Sequence, residues 1–412
     1  MVSLWFAANT LLWPFIFEVF GLKLGLNVVA LACIAIVWFV RHPSPAKWTS
    51  RFFAALCVFM FYSFVIGSTG SCTDRLQKMV VTGPVFVLLT FVGLEIGFNS
   101  VREDWVRLKE RTPWIVSIVI LSLLIEATFP TSFPDQAGYR SEGRLSGLYS
   151  EPSILAVTLF PSILVLLASK NIRLIRIGIL TLTLVVLLSY STTIVTLTFC
   201  WLLFYLFLRD RLLNFLSYLI GAILLVELFL SFIDQSFLDA SAARLLGIWF
   251  GEHETDNISS LVYLQGWQDA WINLQRTNGL GLGFNMMGCT PLPLAPAREI
   301  LARYFHIELN TDDGSTILAK LISETGVVGI VATVLLISWF FYVVTDLRRN
   351  LRQVGFEDAL IPVVVIFAFI AASGIRSSGY FSGIFLLMVP AAAALVKFRL
   401  VRAEKRIQEH DW

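Results

Sequence analysis

Stretches of about 20 consecutive apolar residues recur along the whole chain, and each is long enough to cross the hydrocarbon core of a bilayer as an α-helix. The 412 residues are 57% hydrophobic and only 15% charged, whereas about 25% of the residues in soluble domains are charged. This composition excludes a water-soluble globular protein. We therefore predict an all-α, polytopic membrane protein.

The hydropathy of the chain predicts about twelve transmembrane helices. They are expected near residues 4–20, 24–40, 52–69, 79–98, 114–129, 152–169, 174–190, 192–208, 215–233, 326–345, 358–375 and 379–396. A few polar residues alone interrupt the long apolar run 174–208, which we interpret as a tight hairpin. All 412 residues are expected to form a single integral membrane domain.

The placement of Lys and Arg predicts the orientation of these helices. Of the 31 Lys and Arg residues, 20 fall in one set of alternating connections, and such residues collect on the cytoplasmic side. Both termini, including the tail 397–412, are therefore predicted to be cytoplasmic. The connection 130–151 and the large loop 234–325 then face outward.

Charge and cysteine content exclude several kinds of partner. A net charge of +2 does not indicate nucleic-acid binding. The chain has no zinc-ligand spacing, and its cytoplasmic connections are too short for a nucleotide-binding domain.

Cys72 and Cys289 both fall on the outer side, where they could form a disulfide.

The first polar cluster is GYRSEGRLSGLYSEPS, residues 138–153, at a membrane boundary. It contains Arg140, Glu142, Arg144, Tyr149 and Glu151. Glu151 followed by Pro152 predicts a helix start. An arginine fork could bind phosphate there, and a neighbouring glutamate could accept a proton from a sugar hydroxyl. Alternatively, Glu151 only caps the helix and pairs with Arg144.

The second cluster is NTDDGSTILAKLISETGVVG, residues 310–329. Lys320 and Glu324 share one helix face at i, i+4, and the two aspartates, Asp312 and Asp313, could cap this short helix. The segment is either a capped surface helix or an interfacial helix that contributes polar side chains to a site.

Two further segments combine polar and aromatic residues. In IRSSGYFSG, Arg376 lies at the outer end of a span, where a charge usually has a partner or a polar cavity or extends to the interface. The stretch 262–288 carries Gln265, Trp267 and Arg276 among other aromatic and amide side chains. Such residues suit sugar rings, but aromatic residues also belong at bilayer interfaces.

Four of these motifs, in this order, resemble bacterial O-antigen polymerases of the O-antigen ligase and polymerase superfamily. They are RLSGLYSEPS, YLQGW with NGLGLGF, DDGSTILAKLISETGVVG and IRSSGYFSG. The resemblance implies a GT-C-type membrane glycosyltransferase that needs no metal or other cofactor. It would act at the periplasmic face of the inner membrane and transfer a growing glycan from undecaprenyl pyrophosphate onto another lipid-linked repeat unit of the lipopolysaccharide O-antigen.

The resemblance also marks functional positions. The candidate catalytic residues are Glu151, Arg144, Arg376 and Asp313. The candidate substrate-binding residues are Arg140, Tyr149, Gln265, Trp267, Arg276, Lys320, Glu324 and Tyr380. Arginines would neutralise the departing pyrophosphate, and a carboxylate would activate the acceptor hydroxyl. Expected partners are the lipid-linked donor and acceptor, the bilayer, and candidate protein partners: a chain-length regulator and a flippase.

One departure separates polymerase from ligase. The ligases resemble one another in a catalytic histidine about where this chain has Asp312 and Asp313, and no histidine follows His306 before the next span. An O-antigen ligase, or a polymerase of exopolysaccharide or capsule repeat units, is the second interpretation. A polyprenyl-glycan flippase or a secondary transporter is the third, disfavoured because the charges gather in outer loops.

Reporter fusions test the predicted topology. Alkaline phosphatase fused after residue 280 should be active, and the same enzyme fused after residue 350 should be inactive, because it folds only outside the cytoplasm, where its disulfides form. Green fluorescent protein at the two positions is the complementary control. The opposite pattern would contradict the orientation and the outward placement of the large loop.

Overall fold

The computed structural model describes residues 1–19, 22–42, 47–69, 75–129, 145–149, 151–189, 191–209, 258–289, 292–305, 311–350, 357–376 and 379–410. Within these residues, five helices are long and apolar enough to cross a membrane. They are Thr49–Ser68, Leu76–Asn99, Arg102–Thr128, Ile172–Ser189 and Ile317–Asp346. The chain is a helical membrane protein, as its composition predicts.

The chain divides into two compact units. Unit 1 comprises Met1–Tyr62, Val80–Leu197 and Arg349–Trp412, and unit 2 comprises Ser63–Met79 and Thr198–Arg348. In chain order the helices are α1 (Val2–Ala7), a π-helix (Ala8–Leu12), α2 (Leu26–Arg41), α3 (Lys47–Thr69), α4 (Leu76–Asn99), α5 (Arg102–Thr128), α6 (Pro152–Leu167), α7 (Ile172–Ser189), α8 (Thr192–Arg209), α9 (Ile258–Arg276), α10 (Pro296–Ile300), a second π-helix (Leu301–Phe305), α11 (Ile317–Asn350), α12 (Glu357–Ile375) and α13 (Gly383–His410).

The first predicted span is shorter than expected. Helical structure ends at Leu12 instead of continuing to residue 20. An antiparallel hairpin of β1 (Ile16–Val19) and β2 (Leu22–Gly25) follows. Pro14 explains the difference, because proline has no amide hydrogen to donate and its ring clashes with the preceding turn of a helix. The prediction of one helix over 4–20 is wrong.

The predicted interruption of the apolar run 174–208 is confirmed, because α7 ends at Ser189 and α8 begins at Thr192. That the two helices pack as a tight hairpin stays a prediction. The predicted helix before the span at 326–345 is also confirmed as the beginning of α11. Gly326, with φ of 59° and ψ of −138°, separates it from the rest of α11. The predicted span at 215–233 lies outside the described residues.

In unit 1, α6 is a central helix. Nearly all of its side chains are buried, including Leu155, Phe160 and Leu164, and it contacts α5, α7 and α12. A helix that is apolar all round is covered by protein or lipid on every side. α6 begins where the sequence predicts, with Glu151 as the extended N-cap residue and Pro152 in the first helical position.

In unit 2, the glycine-rich stretch after α9 packs on the beginning of α11. The amides of Leu282 and Gly283 donate to the carbonyls of Ser323 and Glu324 over 3.1 and 2.8 Å. Gly281 has φ of +84°, and a Cβ there would collide with the Glu324 carbonyl. The glycines thus serve close backbone packing.

Cys289, which ends this stretch, is disulfide-bonded. The cysteines inside helices, Cys33, Cys57 and Cys200, are free. The remaining cysteine of the chain, Cys72, lies outside the described residues, so the predicted pairing of Cys72 with Cys289 stays a prediction.

Replacing Gly326 by Ala should destabilise the protein by roughly 2–4 kcal/mol, because a side chain is strained at positive φ and its Cβ would overlap the Gly279 carbonyl. Gly83→Ala in α4 is the matched control, since its Cβ would meet only the terminal Met60 methyl at 2.6 Å, which can move. Thermal unfolding in detergent compares the two. Equal melting temperatures for both variants would contradict this account of the kink.

Candidate functional site

Glu151 and Arg376 form an ion pair in unit 1, although 225 residues separate them in the chain. Arg376 Nη2 lies 2.8 Å from Glu151 Oε2, and the Ser153 hydroxyl donates to the same oxygen over 2.9 Å. The Arg376 side chain remains 19% exposed and the Glu151 side chain 25%. The Glu151 side chain makes no capping hydrogen bond to α6, so it is available to a partner other than its own helix.

Both residues lie at helix ends. Glu151 precedes α6, and Arg376 follows α12, where its amide donates to the Ala372 carbonyl. The contact between α6 and α12 brings these ends together, and so joins two of the motifs identified in the sequence. The predicted partner of Arg376 is therefore an acidic residue from another part of the chain.

A small pocket lies beside Arg376. Its walls are mostly apolar, with two hydroxyls among the side chains. The lining residues are Trp13, Ile154, Val157, Thr158, Arg376, Ser382 and Ile384. The pocket thus places apolar side chains next to the cationic Arg376.

The other residues of the first polar cluster are placed differently. Arg140, Glu142 and Arg144 lie outside the described residues. Tyr149 is buried, its hydroxyl donates to the Thr10 carbonyl over 2.7 Å, and burial raises its pKa above the ordinary value. Tyr149 is thus held inside the protein, and its binding of substrate stays a prediction.

In unit 2, Lys320 lies at the centre of a second polar cluster. Its side chain is only 2% exposed. Its Nζ donates to the Asp312 carbonyl over 2.5 Å and lies 3.7 Å from Asp313 Oδ1 and 3.6 Å from Glu324 Oε1. The predicted pairing of Lys320 with Glu324 is confirmed, but the pair is buried and is not a surface pair.

Asp312 and Asp313 do not cap the helix that follows them. Thr316 does so, because its hydroxyl accepts from the Ala319 amide over 3.1 Å. Gly314 and Ser315 both have φ of +60°, which keeps the two aspartates outside the helix. The capping prediction is therefore wrong, and Asp313, 43% exposed, stays a candidate catalytic residue.

The carboxylate of Asp312 pairs with two cations that the motifs do not include. Arg75 Nη1 lies 2.6 Å from Oδ1 and Lys78 Nζ lies 3.3 Å from Oδ2. Burial raises the pKa of Asp312, but attraction by Lys78 and Arg75 outweighs it, so the pKa lies below its ordinary value. Arg75 and Lys78 are 25% and 23% exposed. A phosphate group could therefore replace the Asp312 carboxylate as their partner.

The sequence does contain a signal for these two cations. Residues three apart lie on the same side of a helix, and the pair stands at the beginning of α4. Sequence alone places Arg75 and Lys78 among the outward charges but cannot show that an aspartate more than 230 residues later pairs with them.

Glu324 is fully buried, and its carboxylate accepts from the backbone of the glycine-rich stretch. The amides of Asn285 and Met287 donate to its two oxygens over 2.7 and 2.9 Å. This arrangement fixes the loop conformation, and the binding of substrate by Glu324 stays a prediction.

The candidate sugar-binding residues of α9 do not share one environment. Gln265 is buried, Trp267 is half-buried with its ring centre 6.4 Å from that of Tyr263, and Arg276 is exposed. In unit 1, Tyr380 is buried with its ring centre 5.8 Å from that of Phe86. Their predicted contacts with substrate stay predictions.

A buried ion pair that the sequence did not indicate joins Asp269 of α9 to Arg298 of α10. The Arg298 guanidinium donates to Asp269 Oδ2, and the side chains are 10% and 2% exposed, respectively. Burial raises the pKa of Asp269 above the ordinary value even though Arg298 and Gln265 lower it.

Replacing Arg298 by Met should lower the free energy of unfolding by about 3–5 kcal/mol, because the Asp269 charge is then buried without a partner. Without Arg298, burial raises the pKa of Asp269 in the native state above its value in the unfolded chain. The loss of unfolding free energy should therefore shrink as the pH falls from about 8 to about 5 and Asp269 becomes protonated. Chemical or thermal unfolding in detergent across this pH range measures it.

The double variant Arg298→Met with Asp269→Leu is the matched control. It buries no charge, so it should recover most of the stability and lose the pH dependence. A single variant as stable as the wild type, or a double variant as unstable as the single one, would contradict the structural role of this pair.

Within the described ranges, no three His, Cys, Asp or Glu side chains are grouped closely enough to hold a metal ion. No protein-family model matches this chain, and neither a curated protein nor a solved structure is significantly similar to it.

Proposed function

We propose that this chain is an O-antigen polymerase, a membrane glycosyltransferase that joins oligosaccharide repeat units carried on undecaprenyl pyrophosphate. The observation that carries the proposal is the ion pair between Glu151 and Arg376. A base and a phosphate-binding cation are the two groups that such a transfer requires, and here they are in contact and partly exposed.

Each group has a role in the transfer. The acceptor hydroxyl attacks the anomeric carbon of the donor glycan and gives its proton to the carboxylate of Glu151. The bond from that carbon to the pyrophosphate oxygen breaks, and the carrier leaves with the electron pair. Arg376 stabilises the negative charge that develops on the leaving group. Its guanidinium carries five N–H donors, so it can hold Glu151 and a phosphate oxygen together.

The surroundings of the pair support a lipid-linked substrate. Arg376 also lines a small pocket with mostly apolar walls, so apolar side chains lie next to the proposed phosphate-binding cation. A carrier of this kind remains in the bilayer, so its phosphate would reach the site at the membrane boundary, where the sequence predicts the start of α6.

The proposal includes a GT-C-type architecture of about twelve spans in the bacterial inner membrane, with both termini in the cytoplasm. In addition to the five long helices, four shorter apolar helices support this number among the described residues: Leu26–Arg41, Pro152–Leu167, Thr192–Leu208 and Leu360–Ile375. The disulfide of Cys289 supports an outward position of the large loop, because disulfides persist in oxidising compartments such as the periplasm.

An O-antigen ligase is the second candidate. It would use the same lipid-linked donor, but its acceptor would be the lipid A core. Asp312 and Asp313 stand where the ligases have their histidine, and Asp312 is already paired with Arg75 and Lys78. Among the described residues of this cluster there is no imidazole base, which favours the polymerase.

Glu151→Gln should reduce polymer formation about 100-fold or more, because an amide cannot accept the proton. Arg376→Lys should reduce it at least about 10-fold, because lysine lacks the fork that holds a carboxylate and a phosphate together. The measurement is a gel of surface lipopolysaccharide from a deletion strain complemented with each variant.

The matched controls are Glu103→Gln and Arg173→Lys, two exposed positions on helices outside the site. Both should restore the wild-type ladder. A deletion strain that carries core with one repeat unit identifies a polymerase, whereas bare core with accumulated lipid-linked polymer identifies the ligase. Wild-type ladders from both site variants, at wild-type protein levels, would remove the ion pair from the mechanism.

A further inference from the structure

The segment 145–149, just before Glu151, is attached to three helices of unit 1. The Leu145 amide donates to the Leu188 carbonyl of α7 over 3.0 Å. The Tyr149 hydroxyl donates to the Thr10 carbonyl of the first π-helix over 2.7 Å. The third attachment is to Glu126 of α5, whose carboxylate accepts two consecutive backbone amides.

Those amides belong to Ser146 and Gly147, which donate to Glu126 Oε2 over 2.9 and 2.5 Å. Gly147 has φ of +61°. Such a residue turns successive amides toward one side of the chain, and their N–H groups then form a concave anion-binding surface. A Cβ at Gly147 would lie 2.5 Å from Ser122 Oγ, so glycine also allows the segment to approach α5 closely.

Burial of a carboxylate is costly unless hydrogen bonds compensate it. Glu126 is only 1% exposed, and the two hydrogen bonds from the backbone amides compensate for this burial. Bonds between an ionised acceptor and amide donors are about twice as strong as neutral ones. Glu126 therefore binds the backbone strongly at Gly147, four residues before Glu151.

We infer that Glu126 is a positioning residue for the site of Glu151 and Arg376: it holds segment 145–149 so that Glu151 begins α6 within reach of Arg376. The inference rests on the proposed function. Glu126 touches neither member of the ion pair in the contacts described for it, and it acts through the backbone. Its charge matters as well as its shape, because a glutamine oxygen could still accept both amides but only through weaker, neutral hydrogen bonds.

The first measurement is hydrogen exchange of the full-length protein in nanodiscs, which needs no substrate. In Glu126→Gln, the amides of 145–149 should exchange roughly 10-fold faster, the factor expected when two charge-assisted hydrogen bonds become neutral ones. The matched control is Glu95→Gln in α4. Glu95 is also a buried carboxylate, and it accepts from the Asn99 side chain over 2.9 Å. The control should leave exchange in 145–149 unchanged.

The second measurement is polymerisation by the same purified proteins, with undecaprenyl-pyrophosphate-linked repeat units extracted from a polymerase-deletion strain. Per folded molecule, Glu126→Gln should lower kcat about 10-fold and leave KM within a factor of about two. A purely structural role would reduce the amount of folded protein and leave kcat unchanged. Glu126→Asp, whose carboxylate is one methylene shorter, should shift both measurements in the same direction and replaces Gln if that variant does not fold.

Unchanged exchange in both Glu126 variants would overturn the inference whatever their activity. Faster exchange with an unchanged kcat would overturn it too, since the segment would then not determine the position of Glu151. Wild-type protein that makes no polymer would reject the proposed function, and the exchange rates would still show whether Glu126 holds the segment.

Discussion

Every backbone amide in a chain this apolar needs a hydrogen-bond partner, and outside the helices buried carboxylates supply several of them. Glu126 accepts the amides of Ser146 and Gly147, and Glu324 accepts those of Asn285 and Met287. An unpaired amide in apolar surroundings is costly. These carboxylates therefore allow irregular backbone next to polar clusters in a protein otherwise made of helices.

Helix ends position the polar side chains of the ion pair in unit 1. The central helix α6 is covered by α5, α7 and α12, and its packing on α12 determines which helix ends meet. Glu151 precedes the first residue of α6, and Arg376 follows the last residue of α12. The ion pair between them is thus a consequence of helix packing, and the charges need no separate scaffold.

The sequence predicted the helices best where their apolar patterns were long. It located the break between α7 and α8, the helix start at Pro152 and the i, i+4 pair of Lys320 and Glu324. It failed where local chemistry competes with hydropathy. Pro14 ended the first helix early, and the positive φ of Gly314 and Ser315 kept Asp312 and Asp313 from capping the next helix.

By itself, the sequence determined that the chain is a helical membrane protein and which short polar segments interrupt it, because hydropathy and turn chemistry are local properties. Only the tertiary structure decided which charges meet. Three ion pairs join residues that are far apart in the chain: Glu151 with Arg376, Asp312 with Arg75, and Asp269 with Arg298. Such pairs depend on how helices pack, and packing follows from the shapes of many side chains together.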